Sequence, residues 1–269
     1  MNHAVFPTLG SAVYALACKE CRSAQRALAS RKKPHQSVHS ARKAIRRLRA
    51  VLLLANDRFD EIGIADKELR RIGSGLSRLR DAYVITSAAR VLAEKDDHGR
   101  WQPAIDGLER RCEELLSQAM ASDPDFARRR ARLQRVVERL QSLPWPDLGN
   151  KDISAAIERS AKRVRKAHKR ACNDESPENI HRWRRRTRRL RMQLEAVKHL
   201  RVLTAHSEKN GLDEFASGKE VKGFKKLADR LGWYQDLQVL SRILRRLPLG
   251  SDLPILQAQL KRAIAAAEP

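Results

Sequence analysis

The chain has 269 residues, enough for one large domain or two small ones with a substantial core. Lys and Arg number 56 against 32 Asp and Glu, giving a net charge of +24 and a pI near 10.8, so the composition implies a polyanionic partner: nucleic acid, an anionic membrane surface or a chain of phosphates. Aromatic residues make up only 4%, which argues against base-stacking platforms for single-stranded nucleic acid, and no run reaches the roughly 18 apolar residues of a membrane span.

No stretch alternates with period 2, and apolar residues recur at helical spacing throughout, so an all-α protein is expected. Gly10 to Ser30 is a first helix with Lys19, Arg22 and Arg26 on one face. Pro34 marks a loop, and Ser37 is the expected N-cap of a second helix, Val38 to about Asn56. Asp57 to Asp66, acidic and containing Gly63, is expected to be a connection, followed by one long helix from Lys67 to Glu94. In that helix Gly73 and Gly75 are read as sites of close helix approach. After a polar turn at Lys95–Gly99 come a fourth helix, Gln102 to Ala121, and a fifth from about Asp125 to Gln141, started by Asp123-Pro124. The fifth carries Arg128, Arg129, Arg130, Arg132, Arg135 and Arg139.

The proline-rich segment Leu143 to Gly149 is the clearest break and divides the chain into residues 1–143 and 144–269. Beyond it, Asp152 to Ala171 matches the first helix, with Lys162, Arg165 and Lys169 answering Lys19, Arg22 and Arg26. Ser176 or Asn179 caps a helix beginning at Ile180 and running to about His206. A loop at Asn210–Gly218 precedes a helix from Lys219 to Leu247 that carries Lys222, Lys225 and Lys226. A turn at Pro248–Pro254 leads to a closing helix, Ile255 to Ala266.

Two of these segments organise the rest. Moving Val38–Ala55 by 142 positions, from 38 to 180, sets His39 on His181 and Leu48 on Leu190. Arg42, Lys43, Arg46, Arg47 and Arg49 then fall on Arg184, Arg185, Arg188, Arg189 and Arg191, an internal duplication at long period. On a helical wheel Val38, Ala41, Ile45, Leu48 and Leu52 form one side of the first copy, and the histidine with its five cations forms the other. Solvated helix faces normally mix signs, because like charges at i,i+4 cost about 0.2–0.5 kcal/mol per pair. Here the pairs 39/43, 42/46, 43/47, 181/185, 184/188 and 185/189 are all basic, which points to an anionic ligand.

The doubled pattern His-x-x-Arg-[Lys/Arg]-x-x-Arg-Arg-Leu-Arg resembles the CHAD family, the conserved histidine α-helical domain. Ser77-Arg78-Leu79-Arg80-Asp81 and Gly232-Trp233-Tyr234-Gln235-Asp236 resemble that family's Gly-x-x-Arg-Asp segment, with departures at Ser77 and Gln235. The resemblance spans nearly the whole chain. It implies two helical bundles related by a pseudo-twofold axis with a basic groove or pore between them, and a polyphosphate-binding role. Inorganic polyphosphate held by Arg, Lys and His, in association with polyphosphate granules, is therefore the expected function, with nucleic acid as the competing ligand. The residues themselves specify only a polyanion binder. Arginine suits phosphate because its planar fork grips two oxygens and keeps its proton. The cations of the first and sixth helices, and those at 222, 225 and 226, are expected to line the same channel.

His39 and His181 have three available roles: hydrogen bonds to phosphate, structural bonds to a neighbouring helix, or metal ligation. The surrounding cations repel a metal ion, and none is expected. Asp81 and Asp236 orient arginines or, as the lesser alternative, act as general bases. Cys18 and Cys21 form a C-x-x-C without a second ligand pair and are read as small buried thiols. Leu16-Ala17-Cys18 resembles a lipoprotein cleavage site, but no Lys or Arg precedes it and Pro7 and Gly10 interrupt the run, so a cytoplasmic protein is expected. With no phosphate loop, no H-E-x-x-H, no nucleophile elbow and no β-rich segment for a fused triphosphatase, a non-enzyme without cofactors is expected.

Overall fold

Helices supply all the regular structure of the computed structural model, which describes residues 8–94, 96, 98–204 and 218–268. In chain order they are α1 (Leu9–Ala29), α2 (Pro34–Leu52), α3 (Glu61–Gly75), α4 (Ser77–Ala93), α5 (Gln102–Ser122), α6 (Ala127–Gln141), α7 (Asn150–Asn173), α8 (Pro177–Leu203), α9 (Gly218–Leu244) and α10 (Leu253–Ala267). Among the described residues there is no strand, and no helix is long and apolar enough to cross a membrane.

The apolar stripe of α2 is buried as its periodicity requires: Val38, Ala41, Ile45, Leu48 and Leu52 are each at most 1% exposed. Each large member contributes about 2 kcal/mol by burial, and this holds the opposite, cationic face in position. α1 packs antiparallel along α2, and α7 along α8. Gly10 permits the turn at Trp145 to sit on α1, since a Cβ there would lie 1.6 Å from the Trp145 carbonyl oxygen. Cys18 and Cys21 are free thiols buried in α1; Cys21 Sγ donates to the Leu133 carbonyl at 3.4 Å, and burial pushes its pKa up to about 12.

Two apolar clusters form the interior. The larger unites α1, α2, α3, α6, α7 and α8. The smaller joins Ile85, Ala89 and Leu108 of α4 and α5 to Leu240, Leu244 and Leu256 of α9 and α10, around Trp101, whose indole N–H donates to Gln259 at 2.7 Å. Both draw on residues from either side of the Leu143–Gly149 segment.

Several boundaries differ from the sequence reading. α2 begins at Pro34, not after Ser37: the proline occupies the first turn, where its missing N–H costs nothing, and Ser37 Oγ donates to the Lys32 carbonyl at 3.1 Å. The expected connection ends early, because α3 starts at Glu61 and includes Asp66, a buried partner of α2. The single helix expected over 67–94 is two, broken at Leu76 (φ −100°, ψ 1°). The glycines flanking that break have specific neighbours: Gly73 lies under Ile45, and Gly75 leaves room for the Arg129 guanidinium. Asp125 and Phe126 adopt left-handed backbone (φ 49° and 52°) that turns the chain before α6, while Asp123 caps it by accepting the Arg128 N–H at 2.8 Å. Ser176 is the N-cap residue of α8, one of the two expected, but its side chain makes no capping bond; Asp174 accepts instead, receiving the Ser176 N–H at 3.0 Å and Asn179 Nδ2 at 2.7 Å. His206 and the loop from Asn210 lie outside the described residues; Gly218, expected to end that loop, begins α9.

Candidate anion-binding site

α2 and α8 pack against each other, and their cationic faces converge on a cavity of about 530 Å³ flanked by α3, α4 and α9. Its wall presents Arg42, Arg46 and Arg49 from α2, Arg70 from α3, Arg80 from α4, and Arg184, Arg185, Arg188 and Arg189 from α8, with His181 at its edge. Among the described residues only Asp81 and Asp236 answer this charge within the wall.

These arginines fall into two groups. The first is held by protein. Arg42 Nη1 donates to the Gly73 carbonyl and to Ser77 Oγ at 2.7 Å, so the serine standing at the family's glycine position receives an arginine. Arg184 makes the matching brace on α9: it donates to Gln235 Oε1 and lies against Gly232, where a Cβ would come within 3.0 Å of its Nη2. Arg49 Nε donates to Asp66 at 2.7 Å, and Arg70 shares the same carboxylate at 2.7 Å. Burial favours the neutral form of Asp66, but hydrogen bonds from Arg49 and Arg70 outweigh it and hold the pKa below the usual range. Arg80 bridges Asp81 at 3.0 Å and Asp236 at 3.8 Å, while burial raises the Asp236 pKa.

The second group, Arg46, Arg185, Arg188 and Arg189, makes no ion pair or hydrogen bond with protein among the described residues. Arg46 and Arg188 are partly buried. Burial, reinforced by Arg80, Arg42 and Arg184, lowers the Arg46 pKa to about 9. Burial and then Arg46 and Arg184 push Arg188 well below its ordinary value, and Arg189 falls to about 10 through burial and Arg49. Uncompensated guanidinium charge in a confined wall is unfavourable for the protein alone and becomes favourable when an anion enters.

Beside the cavity lies an annex of about 360 Å³ whose lining, among the described residues, is all arginine: Arg70, Arg163, Arg182, Arg185, Arg186 and Arg189. Arg70, Arg185 and Arg189 belong to both spaces. Burial, followed by Arg163 and Arg185, lowers the Arg186 pKa.

The two histidines are placed differently. His181 Nδ1 accepts from Gln235 Nε2 at 2.6 Å; because Gln235 Oε1 is taken by Arg184, the amide orientation is set, and Nε2 of the imidazole carries the proton. His39 sits beside the Tyr83 ring, 6.3 Å between centroids, with Nδ1 buried and unpartnered. Burial first, then neighbouring arginines, lowers both pKa values.

The remaining expected residues do not reach the cavity wall. Lys19, Arg22, Arg26, Lys43, Lys162, Arg165, Lys169, Lys222, Lys225 and Lys226 are exposed on outer faces. For the cations of α1 and α7 the reason is steric: those helices spend their apolar faces on α2 and α8, which turns their charges outward. Arg191 is bound to Glu195 at 2.8 Å within α8, and Arg47 to Glu20 at 2.8 Å. Carboxylates therefore answer the basic faces of the two helices at 47, 49 and 191. Arg70 and Arg163 were not singled out by sequence reasoning; Arg189 was, as the counterpart of Arg47 on the basic face, and Arg80 had a signal, its place before Asp81 in the family-like segment. Among the described residues no group of three His, Cys, Asp or Glu side chains is placed to share a metal ion.

Fold and cavity together define an all-helical domain organised around an arginine-lined enclosure. The profile of the CHAD domain family matches residues 14–245, and the chain belongs to that family. The fold is similar to the crystal structure of the CHAD domain from the plant Ricinus communis, with a TM-score of 0.67 and 19% identity over 99% of this chain and 88% of that one. A search of curated proteins finds no match.

Proposed function

We propose that the protein is a non-catalytic binder of inorganic polyphosphate, holding the chain in the cavity between α2 and α8. The observation that carries this reading is the pair Arg46 and Arg188, two partly buried guanidiniums lining one space, neither of them paired with a carboxylate among the described residues. A linear polyphosphate offers charge at every unit and no base edges, so a confined wall of forks satisfies it, whereas a double helix is too wide to enter. Asp81 and Asp236 serve by holding Arg80, and His181 presents Nε2–H as a neutral donor. Attachment to polyphosphate granules follows from this reading, since each granule surface offers the same ligand.

Retention on immobilised polyphosphate tests the proposal. Arg46→Ala with Arg188→Ala should abolish retention while leaving the helical circular dichroism intact; retention equal to wild type rejects it. Competition at matched salt addresses the nucleic-acid reading, because both ligands weaken with salt through counterion release. Stoichiometric displacement of long-chain polyphosphate by duplex DNA would favour that alternative.

A further inference from the structure

A second basic groove lies on the other side of α3. It encloses about 420 Å³ between α3 and α6 and is lined by Lys67, Arg71, Arg132, Arg135 and Arg139 around one carboxylate, Glu68. That carboxylate already serves two arginines, Arg132 at 2.5 Å and Arg71 at 3.8 Å, and the hydrogen bond from Arg132 holds its pKa low. Lys67, Arg135 and Arg139 are exposed and have no acidic partner among the described residues. The pairs 67/71, 132/135 and 135/139 are like-charged neighbours on their helices, an arrangement that folding alone disfavours.

The groove adjoins the cavity through consecutive residues. Arg70 faces the central cavity and its annex, and Arg71, about 100° further round α3, faces the groove. Among the described residues no carboxylate lines the annex, and Asp66 behind Arg70 is only 3% exposed. From Arg132 to Arg139 the track along α6 extends about 10 Å further at 1.5 Å per residue.

We infer that a polyphosphate chain long enough to leave the cavity passes over Arg70 and Arg71 and is held along the α3–α6 groove, so that the protein prefers long chains to short ones. This rests on the cavity reading above. The test compares tripolyphosphate with long-chain polyphosphate by titration at several salt concentrations, using Lys67→Ala, Arg135→Ala and Arg139→Ala combined. Long-chain affinity should fall on the order of tenfold, and its salt slope should drop by about 2, with tripolyphosphate binding unchanged. Unchanged long-chain binding overturns the inference. Equal losses for both ligands do so too, because a ligand confined to the cavity should not sense the groove. A loss confined to duplex DNA overturns it in favour of a nucleic-acid surface. Arg46→Ala with Arg188→Ala, run in parallel, should lose both phosphate ligands. If that variant keeps long-chain binding while the groove variant loses it, the cavity reading itself fails and the continuous path with it.

Discussion

Replacing Arg46 and Arg188 with methionine should make the ligand-free protein more stable while removing its ligand. Methionine keeps much of the unbranched stem and discards the charge. The Arg46 pKa falls from 12.5 to about 9, a difference of about 3.5 that corresponds to roughly 5 kcal/mol of unfavourable interaction with the charged form. Relaxation and entering water reduce what is recovered, and replacement of buried charge by apolar side chains typically yields about 1–4 kcal/mol. The double variant should therefore melt roughly 5 °C or more above wild type in the absence of ligand. Polyphosphate at a hundred times its Kd should stabilise wild type by about 2.7 kcal/mol and the variant not at all. Thermal denaturation with and without polyphosphate measures both effects. A ligand-free variant that melts lower than wild type, and still gains from polyphosphate, would refute the claim that these guanidiniums are uncompensated and face the ligand.

The pH dependence has a definite sign. His39 and His181 have lowered pKa values when folded, so the unfolded chain binds protons first as the pH falls through about 6.5. Ligand-free stability should decline between about pH 7.5 and pH 5.5, and His39→Gln should flatten that decline in a chemical denaturation series. Gly232→Ala should displace Arg184 from α9 and weaken polyphosphate binding severalfold in a titration, because its Cβ would stand 3.0 Å from Nη2. Gly10→Ala forces the Trp145 turn off α1 and should cost about 3 kcal/mol in denaturant unfolding without altering affinity per folded molecule.

Periodicity placed most of the helices, α3 and α4 being read as one, because an amphipathic stripe such as Val38, Ile45, Leu48 and Leu52 is a local property of the chain. The same regularity identified the faces of α2 and α8, and the repeated like-charge pairs marked them for an anion. Boundaries were less legible where competing local signals were equal. Ser37 was a sound cap on its own terms, but Pro34 opens the helix; Gly73 and Gly75 marked the α3–α4 segment without showing that the chain breaks at Leu76.

Which arginines remain unpaired was decided only by the tertiary structure. A sequence shows that Arg46 and Arg49 share a face, but not that Asp66, seventeen residues beyond Arg49, folds back to neutralise one and leaves the other bare. Nor does it show that the apolar faces of α1 and α7, once packed, carry six expected cations away from the cavity and leave Arg70 and Arg80 in their place. Helical phase is written into neighbouring residues, whereas charge compensation depends on which distant side chains the packed helices bring within hydrogen-bonding reach.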